Sequence, residues 1–123
     1  MRKIKITAGD VTATGILNDS ATADAIWNAL PISARANTWG DEIYFEIPVK
    51  AEEEKDATDL VDLGTLAYWP PGNAFCIFFG PTPASRGEEI RAATAVNLVG
   101  KIEGDATVFK KVTGGSAVTI EKA

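Results

Sequence analysis

Polar and apolar positions alternate from the start of the chain. Ile4 and Ile6 sit between Lys3, Lys5 and Thr7, the period of two expected of a strand with one buried face. Ala8-Gly9-Asp10 is a turn signal, and Val11 to Leu17, mostly small and β-branched, reads as the return strand. Asn18-Asp19-Ser20 supplies N-cap residue types. Ala25, Ile26, Ala29 and Leu30 then recur at helical spacing, which predicts a helix over Ala21 to Leu30 stopped by Pro31. Trp27 falls at the edge of that stripe and reads as core or half-buried cover. Ile32 to Gly40 is irregular. Asp41 to Val49 shows the cleanest alternation in the chain. Ile43, Phe45, Ile47 and Val49 share the core face, and Glu42, Tyr44 and Glu46 share the other.

The pattern changes after Val49. Ala51 to Asp62 is dense in carboxylates (Glu52, Glu53, Glu54, Asp56, Asp59 and Asp62) without the spacing of a calcium loop, and reads as a solvated loop. Leu63 to Trp69 and Ala74 to Phe79 are two strongly apolar strands on either side of Pro70-Pro71-Gly72-Asn73. Arg86 to Asn97 is mixed. Leu98 to Ile102 and Ala117 to Ile120 are short strands, with a helix near Asp105 to Val112 and a turn at Gly114-Gly115. Many short strands at close turn intervals, with one or two short helices, predict a barrel or sandwich.

Composition narrows the chemistry. With 123 residues, 46% of them hydrophobic, the chain is expected to form one domain, residues 1–123, with a substantial core. The uncharged run from Leu63 up to Arg86 is broken by Pro, Gly and Asn, so it is not a membrane helix. The alternating N-terminus is not a signal peptide, and a cytoplasmic location is the expectation. A net charge of −5 argues against nucleic acid as a partner. The chain has no histidine and one cysteine. That excludes a Ser-His-Asp triad, a Cys-His dyad and His- or Cys-type zinc sites, and Cys76 reads as a buried, inert thiol. Neither GxxxxGK[ST] nor GxGxxG occurs. No cofactor and no metal are expected.

The order of the pieces resembles the cyclophilin fold, and more closely its atypical bacterial and archaeal members. KIKITAGDVTATGILND (3–19) is similar to the opening hairpin and SATADAIWNALP (20–31) to the first capping helix. GTLAYWPPGNAFCIFFG (64–80) resembles the strand–loop–strand segment rich in Phe, and VGKIEGDATVFKKVTGGSAVTIEKA (99–123) the ending. WG followed by EIYFEIP, and FFGPTP, resemble the atypical subfamily. The resemblance implies a mainly β fold: a closed eight-stranded antiparallel barrel with one or two short capping helices and a groove on its outer face. Cys76 and Phe78 would point inward, and Phe75, Ile77 and Phe79 would wall the groove. The resemblance places Glu46 at the family's catalytic-arginine position, Phe75 at a glutamine, Ile77 at a phenylalanine of the proline pocket and Trp69 at a small residue. A carboxylate at the arginine position has the wrong charge and, when ionised, no donor. No catalytic residue carries over.

The reading that follows is a non-catalytic module. It would hold an unidentified small molecule or peptide in an aromatic groove formed by Arg35, Trp39, Tyr44, Glu46, Trp69, Phe75, Ile77 and Phe79. Arg35 and Glu46 would orient the ligand. The bland reading of these residues is surface charge for Arg35 and Glu46, and packing cover for the aromatics. The first alternative is a weak or altered peptidyl-prolyl isomerase, with Arg35 standing in for the missing arginine. The second is self-association, because an exposed apolar wall also suits a homo-oligomer or a protein partner. A hydrolase built on Glu46 and a loop acid is the weakest alternative.

Overall fold

A computed structural model describes residues 2–123. The elements in chain order are β1 (Arg2–Ala8), β2 (Val11–Leu17), α1 (Ala21–Ala29), β3 (Ile32–Arg35), β4 (Asn37–Thr38), β5 (Glu42–Glu46), β6 (Thr58–Val61), β7 (Thr65–Trp69), β8 (Ala74–Phe78), β9 (Ile90–Glu103) and β10 (Ala117–Lys122), with 3₁₀ turns at Pro70–Gly72 and Ala106–Lys111.

Local chemistry accounts for the first third. Ile4, Ile6 and Ala8 are buried and face their neighbours across a two-residue turn that pairs Ala8 with Val11. Gly9 occupies that turn at φ +56°, a conformation in which a Cβ is penalised. The Ser20 side chain accepts from the Ala23 N–H at 3.1 Å and caps α1, which buries Thr22, Ala23 and Ile26. The acidic segment is more structured than a solvated loop. Glu54 accepts from the Thr22 N–H at 3.3 Å and from the Thr22 hydroxyl, which places a carboxylate at the positive end of α1. Asp59 lies on β6, 3.1 Å from Arg91. Buried Asn97 joins the segments: its amide N–H groups donate to the Glu52 carbonyl at 2.8 Å and to Thr22 Oγ1 at 3.1 Å, and its oxygen accepts from the Glu54 N–H at 2.8 Å.

All strand pairs are antiparallel. The expected closed, eight-stranded barrel is corrected on two counts. Among the described residues there are ten strands, and the hydrogen-bonded order β3-β10-β1-β2-β9-β7-β8-β5-β4 does not return on itself, with β6 joining as a side branch on β9. The two end strands, β3 and β4, are consecutive in the chain and separated by Ala36 alone. β3 pairs with β10 and β4 with β5, so this seam is crossed by the backbone itself and not by a ladder of hydrogen bonds.

The sheet has apolar material on both faces. The larger cluster contains Ile4, Ile6, Ile43, Phe45, Phe75, Ile77, Phe79 and Ile120, with Ile26 of α1 and Phe109 of the second 3₁₀ turn. The smaller one contains Ala67, Cys76 and Phe78 from the sheet's other face, under Val61 of β6 and Ile90, Ala92 and Val96 of β9. The long β9 makes this possible. Its C-terminal half pairs with β2 and β7, while its N-terminal half pairs with β6, and the resulting ribbon covers the outer face of β7 and β8.

Gly100 of β9 is paired on both sides, with Leu17 of β2 and Leu66 of β7. A Cβ there would fall inside the contact radius of the Ile16 carbonyl oxygen and crowd the Leu17 Cα, both backbone atoms. Gly100→Ala is therefore expected to lower stability by about 1–3 kcal/mol, although alanine is ordinarily better than glycine within a strand. Urea denaturation would check this, and an unchanged midpoint would show that the two strands can part.

Candidate functional site

The sequence places Phe75, Ile77 and Phe79 on an outer wall. The structure places all three in the main core, and this reverses the expected parity of β8. The ladder between β5 and β8 sets Phe75 opposite Phe45 and Ile77 opposite Ile43. The Phe45 and Phe75 rings stack with centroids 5.5 Å apart. Because directly paired residues share a face, the side chains pointing outward are those opposite Tyr44 and Glu42, namely Cys76 and Phe78.

The remaining candidates divide between two places. Arg35 and Glu46 line a shallow depression with Asn37, Ile47 and Pro48. There Glu46 is exposed, and the Arg35 guanidinium donates to the Gly115 carbonyl at 3.0 Å. Trp39, Tyr44 and Trp69 meet elsewhere, around a cavity of about 280 Å³ completed by Glu42, Ala92, Ala93 and Val96. The cavity lies between the outer face of the sheet and the β6–β9 ribbon.

Each wall is positioned by local structure. Trp39 and Glu42 exchange backbone hydrogen bonds of 2.9 and 3.2 Å across a tight turn. Gly40 occupies this turn at φ +59° with no room for a Cβ against Thr82 and Pro83. Tyr44 follows two residues later on the same face of β5. Trp69 ends β7, and its indole N–H donates to Thr94 Oγ1 on β9 at 2.7 Å, tying the sheet to the ribbon at the rim of the cavity. All three aromatic residues are half-buried.

Glu42 is the group that sequence reasoning passed over. It is 6% exposed in a predominantly apolar setting, and burial raises its pKa from 4.5 to about 7, with a hydrogen bond to the Cys76 thiol pulling the other way. Cys76 is buried as expected. Burial first, and then the adjacent Glu42 charge, push its thiol well above the usual range, so it is a poor nucleophile. The signal for Glu42 was its parity with Tyr44 on β5. The signal for Ala92, Ala93 and Val96 was absent, because small residues in a mixed segment show no periodicity.

Among the described residues, no group of three or more His, Cys, Asp or Glu side chains could hold a metal ion, and no helix is long and apolar enough to cross a membrane. The family model described as Cyclophilin-like matches residues 2–121. This chain belongs to the cyclophilin-like family. A similar solved structure is the solution structure of the hypothetical protein AF2241 from Archaeoglobus fulgidus. It is 41% identical, with a TM-score of 0.84, over 99% of this chain and 95% of that one. McbB in complex with tryptophan is a more distant neighbour in fold, at 15% identity and a TM-score of 0.71, covering 96% of this chain and 44% of that one. No curated protein matches the chain.

Proposed function

We propose that this cyclophilin-like domain is a binding module that holds a small molecule, or one side chain of a peptide, in the cavity between β5, β7 and β9. The observation carrying this is the convergence of Trp39, Tyr44 and Trp69, from three separate elements, on a cavity that also contains a buried carboxyl. An apolar hollow with few polar groups is the usual form of a ligand site. A volume of about 280 Å³ lies just under the roughly 300 Å³ at which drug-sized ligand pockets begin and suits a one- or two-ring molecule. McbB is seen with tryptophan, a molecule of that size.

Two other readings have less support. Amide-bond isomerisation needs a donor aimed at the twisted amide, and among the described residues no arginine or lysine lines the cavity; Arg35 belongs to the separate depression. Self-association was motivated by an apolar wall whose members, Phe75, Ile77 and Phe79, are interior.

The test is ligand-observed NMR with a library of one- and two-ring fragments, followed by thermal denaturation. Binders are expected to raise the melting temperature in proportion to occupancy, and Trp69→Ala is expected to remove the effect. A library with no binder displaced by that change would overturn the reading. In parallel, exchange of an X–Pro peptide followed by NMR is expected to stay on its uncatalysed timescale of about tens to hundreds of seconds. Clear acceleration would replace the binding module with an isomerase.

A further inference from the structure

We infer that the cavity takes a small aromatic amine, its ring against Trp39, Tyr44 and Trp69 and its ammonium N–H donating to the Glu42 carboxylate. This rests on the cavity being a small-molecule site and names the class of molecule. The argument is one of elimination among charges. Among the described residues, Glu42 is the sole acidic or basic side chain lining the cavity. An anionic ligand would meet a carboxylate with no cation to offset it. A neutral ligand would further desolvate that carboxyl without pairing it. A cation neutralises it and also meets aromatic faces, which attract positive charge. The net charge of −5 favours the approach of cations over anions.

The groups around Glu42 leave it available. Tyr44 shares its strand face, and Cys76 points to the same side from β8, opposite Tyr44, its thiol 3.8 Å from the Ala74 carbonyl. Arg91 of β9, next to the lining Ala92, is engaged by Asp59 at 3.1 Å and Glu89 at 3.4 Å. Asp41, on the turn, lies 4.0 Å from Lys110. None of these supplies a fixed counter-charge to Glu42.

Pairing with an ammonium favours the ionised carboxylate, so binding releases a proton wherever free Glu42 is protonated. With its pKa raised to about 7, affinity for an amine should climb as pH rises to neutrality and level off above. It should be about tenfold weaker at pH 6 than at pH 8.

Three probes of similar shape, phenethylamine, 2-phenylethanol and 3-phenylpropionate, would be titrated into the ¹⁵N-labelled protein at pH 6 and pH 8. The expected order at pH 8 is amine first by about tenfold, then alcohol, then carboxylate. Glu42→Gln should abolish the preference for the amine over the alcohol, and Trp69→Ala should weaken all three. If the alcohol matches the amine, if the carboxylate leads, or if the preference survives Glu42→Gln, the amine assignment is overturned while the cavity remains a binding site. If none of the three binds while the fragment library still yields binders lost with Trp69→Ala, the amine assignment falls and the cavity remains a binding site; if the library is empty as well, both readings fall.

Discussion

Glu42→Gln is expected to stabilise this domain at pH 8 by about 3 kcal/mol and to leave its stability nearly unchanged at pH 4. Burial raises the carboxyl from 4.5 to about 7. Below pH 4.5 it is protonated in both the folded and the unfolded chain, and folding incurs no penalty for ionisation. Between pH 4.5 and 7 the unfolded chain releases the proton while the folded one keeps it. The unfolded state then binds fewer protons, and stability falls as pH rises. Above pH 7 the folded state holds a desolvated carboxylate and the full loss is present. Glutamine has nearly the same shape and no charge, so the variant should follow the same curve as the wild type except for this descent. For a chain of this length the difference corresponds to roughly 10 °C in melting temperature. The measurement is thermal unfolding of both proteins from pH 4 to pH 8. An offset that stays constant with pH would show that the carboxyl is well solvated, and would weaken the case for it as an anchor.

Glu89 and Asp105 act in the opposite direction, which is why the variant is compared with the wild type at each pH. Backbone N–H donation from Arg86 holds Glu89 below the usual carboxylate range, and the hydroxyl and N–H of Thr107 do the same for Asp105. Their contribution is present above their unfolded pKa values and is lost toward acid. They are common to both proteins and cancel in the difference.

Phe75→Ala is expected to cost about 3–5 kcal/mol, a large share of the roughly 5–15 kcal/mol that holds a domain of this kind together. The ring is fully buried, stacks on Phe45 and belongs to the cluster that joins the sheet to α1 and to Phe109. Its removal leaves a cavity that neighbouring strands, held by ladders on both sides of β8, are poorly able to close. A double-mutant cycle with Phe45→Ala should give a coupling of about 0.5–1.5 kcal/mol. Guanidinium denaturation measures both. Were Phe75 part of an outer ligand wall, the substitution would cost under about 1 kcal/mol and its main effect would fall on binding. The two arrangements of β8 therefore predict different outcomes for one variant.

The candidate site was half legible for the same reason that β8 was misread. Trp39, Tyr44 and Trp69 were recognisable as aromatics on turns, strand ends or an exposed face. Their convergence was not, since it requires the N-terminal half of β9 to lie with β6 as a ribbon over the sheet that its C-terminal half joins. Arg35 and Glu46 are of the right types to orient a ligand. However, Glu46 ends β5 four residues beyond Glu42, and on a strand that is about 13 Å away.

By itself the sequence determined what depends on neighbours in the chain. The β1–β2 hairpin follows from alternation around Gly9. The start of α1 follows from Ser20, and the faces of β5 follow from the contrast between Ile43, Phe45 and Ile47 and their polar neighbours. The order of these pieces was enough to identify the family. Tertiary structure alone decided which way β8 faces. A period-two pattern carries information only where one face is polar, and Ala74 to Phe78 is apolar on both. Its orientation is set by its ladder with β5, a strand about thirty residues earlier, and a shift of one residue would exchange every inward side chain for an outward one. The pKa of Glu42 was decided in the same way, because its burial requires Trp69 of β7 and Ala92, Ala93 and Val96 of β9 to close over it beside Trp39 and Tyr44.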